Sequence, residues 1–255
     1  SNAKFRDWKK GGHGQVNMHK AIVESVDTYF YKLADELGID TIHRYLTRFG
    51  FGAKTGIDLP SESNGVAPSR EWKKRRFGTP WYPGDTISVG IGQGYNLVTP
   101  LQLAVATAGI ANGHSLVQPV LTKAELDPTF KKDSTSITPT RVRPLLMSPQ
   151  NVKVLQKAME GVMRPGGTAA NAAAGATYTM AGKTGTAQVF SLKGEDYDEN
   201  TIDKKSRDHA LFIAYAPADD PTIALAVIVE NGGHGGSVAA PIARKVFDAY
   251  FKSQP

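Results

Sequence analysis

The sequence predicts an α+β fold, an antiparallel sheet packed on helices, and three observations carry the prediction. Apolar residues recur at three- and four-residue steps through much of the chain and again near its C-terminal end, which is the helical period. The last third instead holds segments rich in Thr, Val, Ile, Phe and Tyr, bounded by polar turns. Those segments follow one another without an intervening helix, so they pair as neighbours in an antiparallel sheet.

The first element begins at Asn17, a good N-cap, and Ile22, Val23, Val26, Tyr29, Phe30, Leu33 and Leu37 then mark one helix up to a glycine stop at Gly38. A second helix is expected over 40–49, closed by Gly50. Residues 51–95 are rich in Gly, Pro and Ser and read as irregular, with one short helix over 70–76. Thr99-Pro100-Leu101-Gln102 is a capping box with proline at the first helical position, and the helix it opens stops at Asn112-Gly113. A strand is expected over 117–124 and a polar tract over 133–140. Ser148-Pro149-Gln150-Asn151 opens a further helix, which Pro165-Gly166-Gly167 terminates. Strands are expected over 177–190, 209–216 and 222–230, the last two joined by a turn at 217–221, and a final helix over 239–251.

Composition excludes several classes. Hydrophobic residues make up 40% and charged residues 21%, which is enough apolar material for a packed core and excludes a wholly disordered chain. The net charge of +6 suits an acidic partner. Its main basic run, Lys73-Lys74-Arg75-Arg76, lies between Trp72 and Phe77 with no nucleic-acid motif, and reads as a solvated face. Cysteine is absent, which excludes disulfides and thiolate metal sites. No run of about 18 apolar residues is available to span a membrane. Ser1-Asn2-Ala3 reads as the remnant of a cleaved expression tag. Residues 4–176 then form a helical and irregular part, and residues 177–255 a strand hairpin and terminal helix.

Gly182-Lys183-Thr184 suggests a phosphate loop, but Thr177 stands where that loop needs its first glycine, and a strand follows instead of a helix. Gly90-Ile91-Gly92-Gln93-Gly94 likewise lacks the final glycine and the βαβ surroundings of a dinucleotide loop. Read as Lys-Thr-Gly on an edge strand, Lys183-Thr184-Gly185-Thr186 suits acyl transfer. The lysine supplies a fixed positive charge, the glycine lets the backbone approach a substrate, and the hydroxyls can bind a carboxylate. A second copy, Lys54-Thr55-Gly56, lies in an expected loop, whereas Lys183 precedes a hairpin and a terminal helix.

Ser25-Val26-Asp27 precedes Lys183 in the chain, and penicillin-binding proteins and serine β-lactamases carry Ser-x-x-Lys, Ser-x-Asn and Lys-Thr-Gly in that order. Further segments extend the match: Arg6-Asp7-Trp8-Lys9-Lys10 with Gly12-His13-Gly14, Phe49-Gly50-Phe51-Gly52 with Thr55-Gly56-Ile57-Asp58-Leu59-Pro60, and the Gly90 cluster before Thr99-Pro100-Leu101-Gln102. On these residues the chain resembles the class B penicillin-binding proteins, most closely their elongation subfamily. The resemblance implies the penicillin-binding-protein/serine β-lactamase-like transpeptidase fold and a peptidoglycan D,D-transpeptidase that β-lactams acylate. It also implies a periplasmic location at the inner membrane, stem peptides ending in D-Ala-D-Ala as substrate, and membrane proteins of the elongation machinery as partners.

By the same resemblance Ser25 belongs to the proton relay and Asp27 occupies the asparagine position. Lys183 supplies electrostatics, Thr184 and Thr186 hold the substrate carboxylate beside Gly185, and the Thr186 N–H serves the oxyanion hole. Asp27 departs from the general motif, which puts roles needing the amide donor in doubt. The nucleophile motif is missing beyond the tag-like start: the one serine with a lysine three residues on is Ser1, before Lys4, in Ser1-Asn2-Ala3. The expectation is therefore an N-terminally truncated, inactive domain. The alternative is a non-catalytic penicillin-recognising or scaffold module. A hydrolytic β-lactamase would need a deacylating base that the chain does not display. Some relatives hold zinc with two aspartates, a histidine and a cysteine. Asp7 and His13 match two of those positions, but Val26 stands at the cysteine position, and two ligands do not make a site. No cofactor is expected.

Overall fold

The computed structural model describes residues 5–121, 142–189 and 203–253. Its centre is a three-stranded antiparallel sheet in the order β3–β4–β5, with β3 Ala181–Ala187, β4 His209–Ala216 and β5 Ile223–Val229. The register runs from Ala181 opposite Tyr215 to Ala187 opposite His209, and from Ala210 opposite Val229 to Ala216 opposite Ile223. β3 is an edge strand in this order, which leaves one side of the Lys-Thr-Gly segment open to other elements.

Alternation along β4 divides the core. Ala210, Phe212, Ala214 and Ala216 join Ala240, Ala243 and Phe247 of α8 (Ala240–Lys252) in the main cluster. Tyr215 instead joins Ala181, Ala111 and Met159, the last two from α5 (Pro100–Asn112) and α6 (Pro149–Val162). Phe247 is fully buried, which accounts for the position of the terminal helix on the sheet. Both start signals read from sequence are present: Thr99 and Gln102 form a reciprocal capping box at α5, and the Ser148 hydroxyl accepts the Asn151 N–H at α6. Gly113 closes α5 in the left-handed region, at φ 77°. The remaining small elements are a two-stranded sheet of β1 (Ser115–Val117) and β2 (Val142–Pro144), and α7 (Ala170–Ala173). The expected polar tract over 133–140 lies outside the described residues. Of the strand expected over 117–124, only Val117 is strand, residues 118–121 are not, and residues 122–124 lie outside the described residues.

Two expectations are corrected. The helix expected to run unbroken from Asn17 is two, α1 (Met18–Val23) and α2 (Asp27–Arg48), with Ser25 between them at φ 56°. Within α2 the glycine stop is present as expected: Gly38 has non-helical angles, φ 71° and ψ 159°, and a second helical stretch continues beyond this kink to Arg48. In the segment read as irregular, α3 (Arg70–Phe77) was expected, but α4 (Pro83–Gly90) was not. Its start is fixed by Asp85, whose carboxylate accepts the Tyr82 N–H at 2.8 Å.

The basic run is solvated only in part. Lys74, Arg75 and Arg76 are exposed, but Lys73 is buried, with its ammonium paired to Asp85 and placed over the rings of Trp81, Tyr82 and Tyr95. That ammonium ties α3 to α4. Gly90 then lets α4 meet α2, since a Cβ there would lie 2.3 Å from the Ala34 Cβ.

Candidate active site

Ser25 and Lys183 stand 158 positions apart in sequence and meet in the fold. The Lys183 ammonium donates to Ser25 Oγ at 2.8 Å and to the Thr184 carbonyl at 2.9 Å. The strand leaves the lysine stem half-exposed, while the ammonium lies deep against the α1–α2 corner. Burial lowers Lys183 from its ordinary 10.5 to about 8, against the opposing pull of Asp27. Asp27 is raised from 3.8 to about 6 by burial and then by the nearby charge of Asp7, with Lys183 pulling it down. An acid and a base in one recess, each displaced toward neutral pH, form the electrostatic signature of a site that handles protons.

The local sequence places these groups. α1 ends with the Val26 N–H bonded to the Ala21 carbonyl, so Ser25 occupies the left-handed position that helix ends usually give to glycine. A serine there costs about 1–2 kcal/mol of backbone strain, and it directs a hydroxyl at Lys183. Val26, the N-cap of α2, has no side chain able to cap. Asp7 caps from outside the helix, accepting the Thr28 N–H at 3.1 Å and the Thr28 hydroxyl at 3.0 Å. Burial pushes Asp7 up, but the Thr28 and His13 hydrogen bonds outweigh it and hold the carboxyl below 3.8.

Two residues of this recess belong to no motif. Thr168 follows the Gly166-Gly167 turn, donates its N–H to the Val23 carbonyl at 3.3 Å, and shares a 2.8 Å hydrogen bond between its hydroxyl and that of Thr184. Gln93 stands between Gly92 and Gly94, both at positive φ, and its amide reaches toward the Thr186 carbonyl at 3.5 Å. A side chain presented by two left-handed glycines is the one available sequence sign of Gln93. Thr168 has no comparable sign, because its partners come from distant segments. On the other flank, Gly235 and Gly236 let the turn before α8 lie on β3. A Cβ on Gly235 would fall 2.5 Å from the Gly185 carbonyl oxygen, and one on Gly236 2.3 Å from the Thr168 carbonyl oxygen.

The second Lys-Thr-Gly copy is a loop, as expected. Thr55 and Gly56 donate their backbone N–H groups to the Glu62 carboxylate. Asp7 and His13 do come together, but as hydrogen-bond partners. His13 Nε2 is 2.9 Å from Asp7 Oδ1, His13 Nδ1 is 2.7 Å from Glu24 Oε2, and Val26 offers only methyl groups. Direct contact leaves no room for an ion between histidine and carboxylate. Among the described residues no group of three or more His, Cys, Asp or Glu is arranged to hold a metal.

The chain belongs to the penicillin-binding protein transpeptidase domain family, whose model matches residues 1–248. It is 45% identical to the peptidoglycan D,D-transpeptidase MrdA of Haemophilus influenzae over all of this chain and 39% of that protein. It is 41% identical to the protein of the same name from Escherichia coli K12, over 97% of this chain and 39% of that protein. Among solved structures, penicillin-binding protein PBP2 of Pseudomonas aeruginosa in complex with WCK 5153 superposes with a TM-score of 0.83 at 42% identity. That match covers 98% of this chain and 50% of the other. PBP2 of Helicobacter pylori, in its complex with MreC, gives 0.85 at 36%, covering 99% of this chain and 43% of the other. The chain spans about two fifths of the length of these curated relatives.

Proposed function

We propose that this chain supplies the substrate-binding wall and proton relay of a peptidoglycan D,D-transpeptidase that cross-links stem peptides during cell elongation and is acylated by β-lactams. The observation that carries the reading is the buried contact between Lys183 Nζ and Ser25 Oγ, beside Asp27. In the reaction a serine hydroxyl attacks the carbonyl of the D-Ala-D-Ala bond, the C–N bond breaks, and the proton passes to the departing amine of D-Ala. An amine of a neighbouring stem peptide then attacks the ester, and the serine recovers its proton.

Lys183, with a pKa near 8, can hold or release a proton at neutral pH, and it donates to Ser25 Oγ. That leaves the Ser25 O–H free to pass a proton toward the departing nitrogen. Thr184 and Thr186 bind the terminal carboxylate of the stem peptide, Gly185 keeps the strand open to it, and the Thr186 N–H stabilises the oxyanion. Thr168 orients the Thr184 hydroxyl through their shared hydrogen bond. The active protein works at the periplasmic face of the inner membrane, with membrane proteins of the elongation machinery as partners through regions outside these 255 residues. The complex of H. pylori PBP2 with MreC supports that assignment.

The test compares two polypeptides, because beyond the tag-like Ser1 no serine of this chain is followed three residues on by lysine. The whole polypeptide carrying Ser-x-x-Lys should form a denaturation-resistant adduct with a fluorescent penicillin, lost in Lys183→Ala, while this chain alone should form none. A whole polypeptide that binds penicillin without an adduct would favour the scaffold reading instead.

A further inference from the structure

The polypeptide before α1 crosses the outside of the α1–α2 corner and contacts both helices there. Trp8 Nε1–H is shared between the carbonyls of Glu24, at 3.2 Å, and Ser25, at 3.0 Å. Both carbonyls lie past the end of α1, where a helix has no donors of its own to offer. Asp7 caps α2 through Thr28, and His13 ties Asp7 to Glu24 through its two ring nitrogens. Lys20, within α1, donates to the His13 carbonyl at 2.7 Å and so fastens the far end of the segment.

Trp8 is 61% exposed, so the burial of its ring stabilises little. Its specific contribution is the indole N–H. That donor reaches the carbonyl of Ser25, the residue held in a left-handed conformation, whose hydroxyl lies 2.8 Å from the Lys183 ammonium. A left-handed serine relaxes readily to ordinary backbone angles unless its surroundings prevent it. The Lys183 hydrogen bond fixes only the side chain.

We propose that Trp8 is a positioning residue, whose indole N–H, with Asp7 and His13 beside it, straps the corner so that Ser25 presents its hydroxyl to Lys183. The inference rests on the proposed role of the Ser25–Lys183 pair and extends the site to a segment on the opposite side of the corner. Trp8→Phe keeps an aromatic ring against His13 and removes the donor, and Trp8→Ala removes both.

Two measurements test this. In the present chain, titration of Lys183 by heteronuclear NMR should move from about 8 toward its ordinary 10.5 by about one pH unit in both variants, as the loosened corner admits water to the ammonium. In the whole polypeptide carrying Ser-x-x-Lys, the second-order rate constant for acylation by penicillin should fall about five- to tenfold in both variants, the loss of about one hydrogen bond. Thermal unfolding of each variant should confirm that it is folded. If Trp8→Phe matches the unsubstituted protein while Trp8→Ala alone is altered, the ring acts by packing and the proposal is overturned. An unmoved Lys183 titration in Trp8→Phe overturns it equally. If the unsubstituted whole polypeptide is not acylated at all, the transpeptidase reading fails, and the titration still decides the role of Trp8.

Discussion

Replacing Lys183 with methionine removes a buried ammonium and keeps most of the stem, and its effect on stability should depend on pH in a direction that the site dictates. The folded protein binds the Lys183 proton with a pKa of about 8, against 10.5 for a free lysine. At about 1.4 kcal/mol for each pH unit, the folded state forfeits about 3 kcal/mol when the group is charged. A lowered lysine contributes stability that is fully present above 10.5 and is lost as pH falls through 8, because the unfolded chain holds the proton more tightly. The unsubstituted protein therefore gains stability between pH 7 and pH 10, and Lys183→Met lacks that gain. Hydrogen bonds lost to Ser25 and Thr184 weaken the variant at every pH, so they cancel when its deficit at pH 10 is compared with that at pH 7. Discounting for the half-exposed stem, stability relative to the unsubstituted protein should fall by about 2 kcal/mol over that interval. Urea unfolding at 25 °C at both pH values, with the slope checked for constancy, measures it. A difference that stays the same at pH 7 and pH 10 would show that the ammonium is not held in a desolvated recess, and the account of the site would fail with it.

Asp27 carries the opposite linkage. Its raised pKa gives stability that is complete below 3.8 and lost as pH rises through about 6, so Asp27→Asn should gain on the unsubstituted protein in urea midpoint between pH 4 and pH 7. Gly90→Ala should lower stability by about 2 kcal/mol, read as a fall in melting temperature, because its methyl group meets Ala34 and the α2–α4 contact must open. Thr168→Val should leave the fold intact, since Thr168 is only half-buried, and should lower penicillin acylation of the whole polypeptide several-fold by freeing the Thr184 hydroxyl.

The periodic elements were legible in the sequence because each carries its own signals: the capping box at Thr99, the serine cap at Ser148, and the β-branched and aromatic composition of β4 and β5. Lys183 was legible because Lys-Thr-Gly needs a strand, and the segments after it supply the hairpin that such a strand joins. The errors fall where long-range partners override local preference. Nothing near Ser25 predicts a helix break, since the cap of α2 comes from Asp7, 21 residues before Thr28. Helix α4 was hidden among glycines and prolines that act here as a helix start and a close contact. Lys73 looked solvated because its counter-charge, Asp85, lies 12 positions away and its aromatic neighbours are scattered through the same segment.

These departures from local preference coincide with the candidate chemistry. A serine occupies a glycine conformation, a lysine ammonium is buried, and an aspartate sits near a second carboxylate. Each is locally unfavourable, and all three converge on one recess. A sequence selected for stability alone would place glycine at 25, an apolar residue at 183 and asparagine or serine at 27. Well-packed and well-capped surroundings hold the strained choices in place: the buried Phe247 and Phe212 behind the sheet, Thr168 bridging α1 and β3, and the Asp7–His13 strap over the corner. Loosening any of these supports should therefore impair the Ser25–Lys183 pair before it unfolds the domain. Variants in the supports should accordingly lose acylation at temperatures well below their own melting points, and a set in which the two losses always coincide would refute that ordering.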